Sequence, residues 1–182
     1  GDDLGSVLVQ ARDENGQPLD RQDVLNCGFL LFVAGLDTVT STMTFIWRHL
    51  ARNERVRHEL ITMLDDRERL SSAVEELLRV HSVANIYRRV KKDMVYRGIT
   101  MKENDRVVLP CSVANRNESV FEHADVIDLN REINNHLTFG AGPHRCVGSH
   151  LAKTEVTIAL QEWLRRIPHF SVAADARIQG HL

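Results

Sequence analysis

The stretch that decides the fold is Phe139-Gly140-Ala141-Gly142-Pro143-His144-Arg145-Cys146-Val147-Gly148, a glycine-rich loop with one cysteine. After it, apolar side chains recur at the spacing of one helical face, namely Val156, Leu160, Trp163, Leu164 and Ile167. The pattern predicts that Cys146 lies at or just before a helix N-terminus, where unpaired N–H groups and the macrodipole favour a thiolate. A thiolate in a tight loop suits a soft or borderline metal, and a haem iron is one candidate. A lone cysteine is also commonly a small buried apolar residue, so that alternative stays open at this point.

The spacing Phe-x-x-Gly-x-His-x-Cys-x-Gly resembles the haem-binding loop of the cytochrome P450 family. The resemblance implies that Cys146 is the thiolate ligand of haem b and that Phe139 packs near its sulfur. It also implies that Gly140 and Gly148 help to bind the cofactor. Most members have arginine at the position of His144, and histidine there is similar to the bacterial camphor-hydroxylating branch.

Composition limits the classes of protein to consider. The chain has 182 residues, of which 43% are hydrophobic and 26% charged, so it is able to bury a sizeable core. The net charge of −2 argues against a nucleic-acid partner. The three cysteines are far apart and form no C-x-x-C pair, which fits a reducing compartment. The longest apolar run, Cys27 to Leu36, is too short to span a bilayer. We therefore expect a soluble, cytoplasmic protein without a membrane partner.

A long helix is predicted from about Asp20 to Arg52, apolar on most faces and therefore expected to be buried. Its middle reads Ala34-Gly35-Leu36-Asp37-Thr38-Val39-Thr40, where an acid and a hydroxyl conflict with the apolar surroundings. Such conflicts often mark functional sites. The alternative is a packing contact of small residues, with Thr38 bonding back along the helix.

The same stretch resembles the distal helix of the cytochrome P450 family. The resemblance implies that Thr38 hydrogen-bonds dioxygen, that Asp37 relays protons from solvent, and that Ala34 leaves space beside the haem. Splitting the O–O bond needs two protons, which an apolar pocket would otherwise exclude. A second set of residues is expected to line the substrate pocket, with plain core as the alternative for each: Leu30, Val33, Ala34, Ala84 and Ile86.

Glu76-Leu77-Leu78-Arg79 places opposite charges three residues apart on one helical face. In context it is similar to the family's Glu-x-x-Arg motif, which pairs with a later arginine, here Arg131. A buried charge network is costly unless it is satisfied, so its expected role is to fix the architecture. By the same resemblance Arg88 and His144 bind haem propionates. The alternatives are an ordinary surface arginine and a loop histidine.

The remaining patterns complete the predicted fold. They indicate a helix within residues 53–70 with solvated arginines, another opened by Ser71 or Ser72, a two-stranded hairpin from Met94 to Leu109, and a strand from Pro168. The fold class is mainly α with small β-hairpins or sheets. By resemblance, residues 1–182 form the C-terminal, haem-binding half of one cytochrome P450 domain, and the N-terminal half and final hairpin are expected to lie outside this chain.

The function implied by the resemblance is that of a bacterial haem–thiolate monooxygenase, an oxidoreductase. It would hydroxylate or epoxidise a small apolar substrate, with terpenoids as a suggested class. Dioxygen would be the oxidant, and a [2Fe-2S] ferredoxin with its reductase would supply electrons. The surface around Arg145 and Lys153 is one docking candidate for an acidic ferredoxin. The alternatives are a haem-binding protein without oxygenase activity and a peroxide-using enzyme of the same fold. The Asp37-Thr38 pair argues against the peroxide user.

Overall fold

Six helices and four short strands make up the part of the chain that the computed structural model describes, residues 1, 3–132 and 134–176. In chain order they are α1 (Leu4–Gln10), α2 (Arg21–Arg52), α3 (Glu54–Ile61), α4 (Arg67–Val80), β1 (Asn85–Arg89), β2 (Met94–Tyr96), β3 (Ile99–Met101), β4 (Arg106–Pro110), α5 (Cys111–Ala114) and α6 (Ser149–Arg166). The predicted class, mainly α with small antiparallel sheets, is confirmed. The chain divides into two compact units, Gly1–Thr40 and Ser41–Leu182.

The first unit contains α1, a bridged turn and most of α2. Asp3 caps α1, because its Oδ1 accepts the Ser6 backbone N–H at 2.9 Å. Asp20 opens α2 in the same way, accepting the Asp23 N–H at 2.7 Å. The predicted acidic start and the predicted end of this helix are both confirmed.

The prediction that α2 is buried is wrong for its first part. Phe29 is 72% exposed and Leu36 is 61% exposed, whereas the buried residues of the helix, Thr42, Ile46 and Leu50, belong to the second unit. Burial requires a facing apolar surface, and the short α1 has no buried residue of its own. By length and mean hydropathy (1.6) α2 also suits a membrane crossing, a test that core helices of soluble proteins pass as well.

The core of the second unit forms between α4 and α6, with α3 and the end of α2 packed against them. Helix α6 contributes Val156, Leu160 and Leu164 of the predicted face, all buried, whereas Trp163 and Ile167 of that pattern are 44% and 43% exposed. Aromatic rings close one side of this core, because the ring centroids of Trp47 and Trp163 lie 5.2 Å apart and Phe170 packs edge-on against both.

Two local predictions in the α3–α4 region are wrong. Helix α4 begins at Arg67 rather than near Ser71 or Ser72, because the Asp66 carboxylate already accepts the N–H groups of Glu68 and Arg69. Arg57, expected on a solvated face, is 6% exposed, and its Nη1 donates to the Leu50 carbonyl at 2.7 Å.

The strands form two small sheets instead of one hairpin. β2 pairs with β3 around a turn at Arg97 and Gly98, but β4 pairs with β1, with Ile86 opposite Leu109 and Arg88 opposite Val107. The strand predicted from Pro168 is not formed within the described residues. There the carbonyl of Phe170 accepts from the Arg57 side chain at 3.1 Å rather than from a neighbouring strand.

Candidate functional site

The cysteine loop of the second unit is closed by its own backbone. The Cys146 N–H donates to the Phe139 carbonyl at 2.9 Å, and a single 3₁₀ turn, Gly142–His144, lies between them. Gly140 and Gly142 have φ angles of 69° and 68°, in the left-handed region that residues with a Cβ rarely adopt. The Cys146 thiol is free and exposed. The alternative of a buried apolar cysteine is therefore wrong.

The sulfur lies beside the start of α6. Gly148 is the N-cap of that helix, and a Cβ built on Gly148 would lie 3.9 Å from Cys146 Sγ. The predicted position of Cys146 just before a helix is confirmed. The partial positive charge of the first helical turn favours the negative charge that a metal-bound thiolate carries.

Strand β1 approaches the same loop. A Cβ built on Gly140 would lie 3.4 Å from Ile86 Cδ1, so this strand contacts the loop through a glycine. Arg88, further along β1, is exposed and uses one N–H to donate to the Tyr87 carbonyl at 2.8 Å. His144 is exposed within the loop itself. Two side chains able to donate to carboxylates thus belong to the loop and to the strand that touches it.

Glu76, Arg79 and Arg131 come together in a buried ion network. Arg79 donates to both carboxylate oxygens of Glu76, from Nε and Nη2, each at 2.8 Å. Arg131 Nε donates to Glu76 Oε2 at 3.0 Å. Both Glu76 and Arg79 are 0% exposed. Burial alone would raise the pKa of Glu76, but the hydrogen bonds from Arg79 and the Asp128 N–H and the charges of both arginines outweigh it and hold that pKa below its usual range.

Arg79 also fastens the chain beyond α5. Its Nη1 donates to the carbonyls of Asn115 and Ala124, at 2.6 and 2.8 Å. Its guanidinium carbon lies 5.0 Å from the centre of the Phe121 ring. The network therefore fixes backbone as well as side chains, and this agrees with an architectural role.

Asn115 connects this network to the cysteine loop. Its Nδ2 donates to the Arg79 carbonyl at 3.2 Å and to Thr138 Oγ1 at 2.9 Å, and its Oδ1 accepts the Leu137 N–H at 2.7 Å. Thr138 in turn donates to the Leu78 carbonyl at 2.9 Å. The residues just before Phe139 are thereby tied to α4. The sequence analysis assigned no role to Asn115, because its hydrogen-bond partners lie 22 to 36 residues away in the sequence.

A second carboxylate group, which we call the Glu75 clamp, consists of Glu75, His136 and Lys153. Glu75 forms an ion pair with Lys153 Nζ and lies 2.8 Å from His136 Nε2. The Thr138 N–H donates to His136 Nδ1 at 3.3 Å, so Nδ1 is the acceptor. The ring proton is therefore on Nε2, which donates a hydrogen bond to Glu75. Burial would raise the pKa of Glu75, but these two partners lower it below its usual range.

The Glu75 clamp lies beside Phe139. Lys153 Nζ lies 5.6 Å from the centre of the Phe139 ring, and the His136 ring centre lies 6.0 Å from it. Lys153 is thus engaged rather than free on the surface. The clamp was missed because its members are far apart in sequence and belong to three different segments.

The predicted distal residues lie on α2 in the first unit. Thr38 Oγ1 donates to the Ala34 carbonyl at 2.6 Å, and Thr40 makes the equivalent bond to Leu36 at 2.7 Å. The back-bond named as an alternative for Thr38 is therefore formed, and it leaves the hydroxyl oxygen able to accept. Asp37 is exposed. The catalytic roles of Asp37 and Thr38 stay predictions.

The predicted substrate residues are not plain core. Leu30, Val33 and Ala34 are exposed on α2, while Ala84 and Ile86 in the second unit are half-buried. Exposed apolar side chains are available to an apolar ligand. Their place in a substrate pocket stays a prediction.

The donor set of the second unit fits a haem. It offers an exposed thiol for iron, glycines that leave room for a flat macrocycle, and two side chains that can pair with propionates, Arg88 and His144. Within the described residues no group of three or more His, Cys, Asp or Glu side chains is placed to hold a metal ion. A metal bound at the loop by Cys146 alone needs further ligands, and a porphyrin supplies four of them.

Comparison with known proteins identifies the family. The profile described as Cytochrome P450 matches residues 2–176, so the chain belongs to the cytochrome P450 family. The family binds haem b, as the sequence analysis expected. Probable cytochrome P450 127A1 of Sinorhizobium fredii is 43% identical over 170 residues, covering 93% of this chain and 40% of the relative. The mycinamicin IV hydroxylase/epoxidase of Micromonospora griseorubida is 38% identical, covering 92% and 42%.

Solved structures agree with the family assignment. CYP109E1 from Bacillus megaterium, in complex with testosterone, matches with a TM-score of 0.86 and 32% identity, covering 98% of this chain and 49% of that one. The chain spans about 40% of the length of the curated relatives that it matches.

Proposed function

We propose that the protein is the haem-binding part of a cytochrome P450 monooxygenase that hydroxylates or epoxidises an apolar substrate. The observation that carries the proposal is the free, exposed Cys146 thiol on a glycine loop at the start of α6. Bound haem supplies one-electron and dioxygen chemistry, and the remaining steps belong to residues of the chain.

Cys146 would hold the iron through Sγ. The bond from its N–H to the Phe139 carbonyl fixes the loop, and the tie from Asn115 to Thr138 fixes the segment before it. Arg88 and His144 would hold the two propionates through charge-assisted hydrogen bonds. The two backbone restraints keep the loop that carries the iron ligand in place before the cofactor arrives.

By the family resemblance, Thr38 and Asp37 of α2 would supply the protons that the reduction of dioxygen needs. The Thr38 hydroxyl donates a hydrogen bond to the Ala34 carbonyl at 2.6 Å, so the lone pairs of the Thr38 oxygen are left to accept. Such an oxygen would accept a hydrogen bond from a water and hold it in place, while exposed Asp37 would exchange protons with solvent. Proton transfer matters because incomplete delivery releases reduced oxygen without substrate oxidation.

The exposed surfaces support an expectation for the substrate and for the redox partner. The apolar side chains of α2, such as Phe29 and Leu30, support a small apolar substrate. A relative named as a mycinamicin IV hydroxylase/epoxidase and a related structure in complex with testosterone support an organic substrate, and terpenoids remain a suggested class. Electrons would come from a [2Fe-2S] ferredoxin in the cytoplasm. Because Lys153 is engaged with Glu75, docking would depend on Arg145 rather than on both cations.

Thr38→Ala tests this function, with Thr40→Ala as the matched control. Both residues make the same back-bond, so both substitutions remove one hydroxyl from one exposed helix. NAD(P)H consumption, hydrogen peroxide and product are measured together with a ferredoxin, its reductase and testosterone as a trial substrate. We expect Thr38→Ala to consume NAD(P)H while releasing mainly peroxide, and Thr40→Ala to stay coupled. Equal behaviour of the two variants would contradict the assignment of Thr38, and full peroxide-driven turnover without reductase would favour the peroxide user.

A further inference from the structure

A cavity of about 450 Å³ in the second unit lies apart from the cysteine loop. It is formed by the end of α2, by the end of α4 with the two residues that follow it, and by Arg116, two residues after the short α5. Seven of its lining side chains are basic or polar: Arg48, His49, Arg52, Asn53, His81, Ser82 and Arg116. None of them belongs to the Glu76 network, the Glu75 clamp or the cysteine loop.

Four polar atoms on these residues are buried without a hydrogen-bond partner. They are Arg48 Nε, His49 Nε2, His81 Nε2 and Ser82 Oγ. Ser82 as a whole is 8% exposed. Buried polar atoms are nearly always paired, so four orphans around one cavity indicate a missing acceptor.

The positive charge around the cavity exceeds what the local structure uses. Arg116 pairs with Asp125 at 2.8 Å and also donates to the Val80 carbonyl at the end of α4. The C-terminal end of α2 is capped by a side chain other than these arginines, because Asn53 Nδ2 donates to the His49 carbonyl at 2.9 Å. Among the described residues, the side chains of Arg48 and Arg52 form neither an ion pair nor a hydrogen bond. Arg48 and Arg52 together carry two positive charges. The partial negative charges at the C-terminal ends of α2 and α4 offset roughly one of them, so about one positive charge remains at the cavity.

The two histidines are held in their neutral form at the edge of this cluster. Their ring centres lie 5.1 Å apart. Burial lowers the pKa of His81 to about 4, helped by His49, Arg116 and Arg48. Burial and then Arg116 lower the pKa of His49 as well. At neutral pH each ring therefore offers one N–H donor without adding charge.

We propose that this cavity binds a phosphate group, either as inorganic phosphate or as the end of a small phosphate ester. The unpaired atoms come from four separate side chains, a better match for the several oxygens of phosphate than for a two-oxygen carboxylate. The volume exceeds that of the anion, which leaves room for an attached organic group. The proposal is independent of the monooxygenase function, because it uses none of the haem-site residues.

Thermal unfolding in sodium phosphate, against sodium chloride of equal ionic strength, tests the proposal. We expect phosphate to raise Tm saturably and chloride not to do so. The double variant Arg48→Gln/Arg52→Gln should bind phosphate at least about tenfold more weakly, the cost of losing charge-assisted hydrogen bonds. The control, Arg67→Gln/Arg69→Gln, removes the same charge from an exposed part of α4 and should bind like the parent. Equal Tm in both salts, or equal weakening in both variants, would overturn the proposal.

Histidine ring resonances give a second readout that does not depend on the variants folding. Phosphate should shift the ring signals of His49 and His81, and not that of exposed His150. A Tm increase without movement of those two signals would place the anion elsewhere and overturn the proposal. Binding of ribose 5-phosphate distinguishes a phosphate ester from inorganic phosphate as the ligand. Tighter binding than inorganic phosphate supports an ester ligand, and weaker binding supports the free ion.

Discussion

Replacing the buried Glu76 with glutamine tests the role of the carboxylate at the centre of the ion network. The carboxylate accepts from Arg79 twice, from Arg131 Nε, from the Asp128 N–H at 3.0 Å and from Asn134 Nδ2 at 2.9 Å. Glu76 Oε1 accepts two of these bonds and Oε2 accepts three. A glutamine in either orientation therefore turns its NH₂ group toward at least two donors. It also leaves the guanidinium of Arg79, 0% exposed, without its counter-charge.

Removing one partner of a buried ion pair costs about 3–5 kcal/mol. Since natural domains are stable by about 5–15 kcal/mol, Glu76→Gln should remove a large fraction of the total. A domain of this size loses roughly 2–4 °C of Tm per kcal/mol, so a fall of about 6–20 °C is expected. Guanidinium unfolding followed by circular dichroism measures the free energy directly.

Glu155→Gln on the exposed side of α6 is the matched control, and it should change the free energy of unfolding by less than about 0.5 kcal/mol. Apolar replacement of the pair, Glu76→Leu with Arg79→Met, should not rescue stability. Such swaps are often neutral, but here Arg79 also satisfies the carbonyls of Asn115 and Ala124. A loss below about 1 kcal/mol for Glu76→Gln would refute this account of the network.

Three further predictions concern pH, the Glu75 clamp and the loop glycine. The pKa of His81 is about 4 when folded and near 6.5 when unfolded, so stability present above pH 6.5 is lost as pH falls. Between pH 7 and 4 the parent should lose about 3 kcal/mol more than His81→Phe, measured by urea unfolding, and equal losses would contradict this. Glu75→Gln should lower the free energy of unfolding by about 1–2 kcal/mol and shift the Soret band of the haem-loaded protein, and Lys153→Met should do the same. A change in stability without a spectral shift would contradict an effect of the clamp on the haem through Phe139. Gly140→Ala should cost about 1–2 kcal/mol because its φ is positive, whereas Gly28→Ala within α2, where a Cβ meets nothing, should stabilise by about 1 kcal/mol. Thermal unfolding distinguishes these two opposite signs.

Features encoded within one segment were predictable from the sequence. The extent of α2 follows from Asp20 and its acidic first turn, and the buried stripe of α6 follows from residues spaced four apart. The position of Cys146 before α6 follows from the glycine loop. In each case neighbours in sequence supply the deciding interaction, so the pattern itself carries the information.

Features that depend on distant partners were not predictable in this way. β4 leaves its expected hairpin because β1, about twenty residues earlier, offers a complementary register. Arg57 is buried because the Leu50 and Phe170 carbonyls need a donor, and neither is visible in the local pattern. The Glu75 clamp joins α4, α6 and the segment before Phe139. Charges that look solvated in sequence become buried when the fold supplies such partners.

The central claim is that Cys146 is the iron ligand, and the spectrum of the reduced, haem-loaded protein under carbon monoxide tests it most directly. The account predicts the red-shifted Soret band typical of a thiolate-ligated haem, and its loss in Cys146→Ser. Cys27→Ser and Cys111→Ser provide matched controls and should keep the band, since those thiols are half-buried and buried. A band that survives in Cys146→Ser, or that disappears in either control, would contradict the claim.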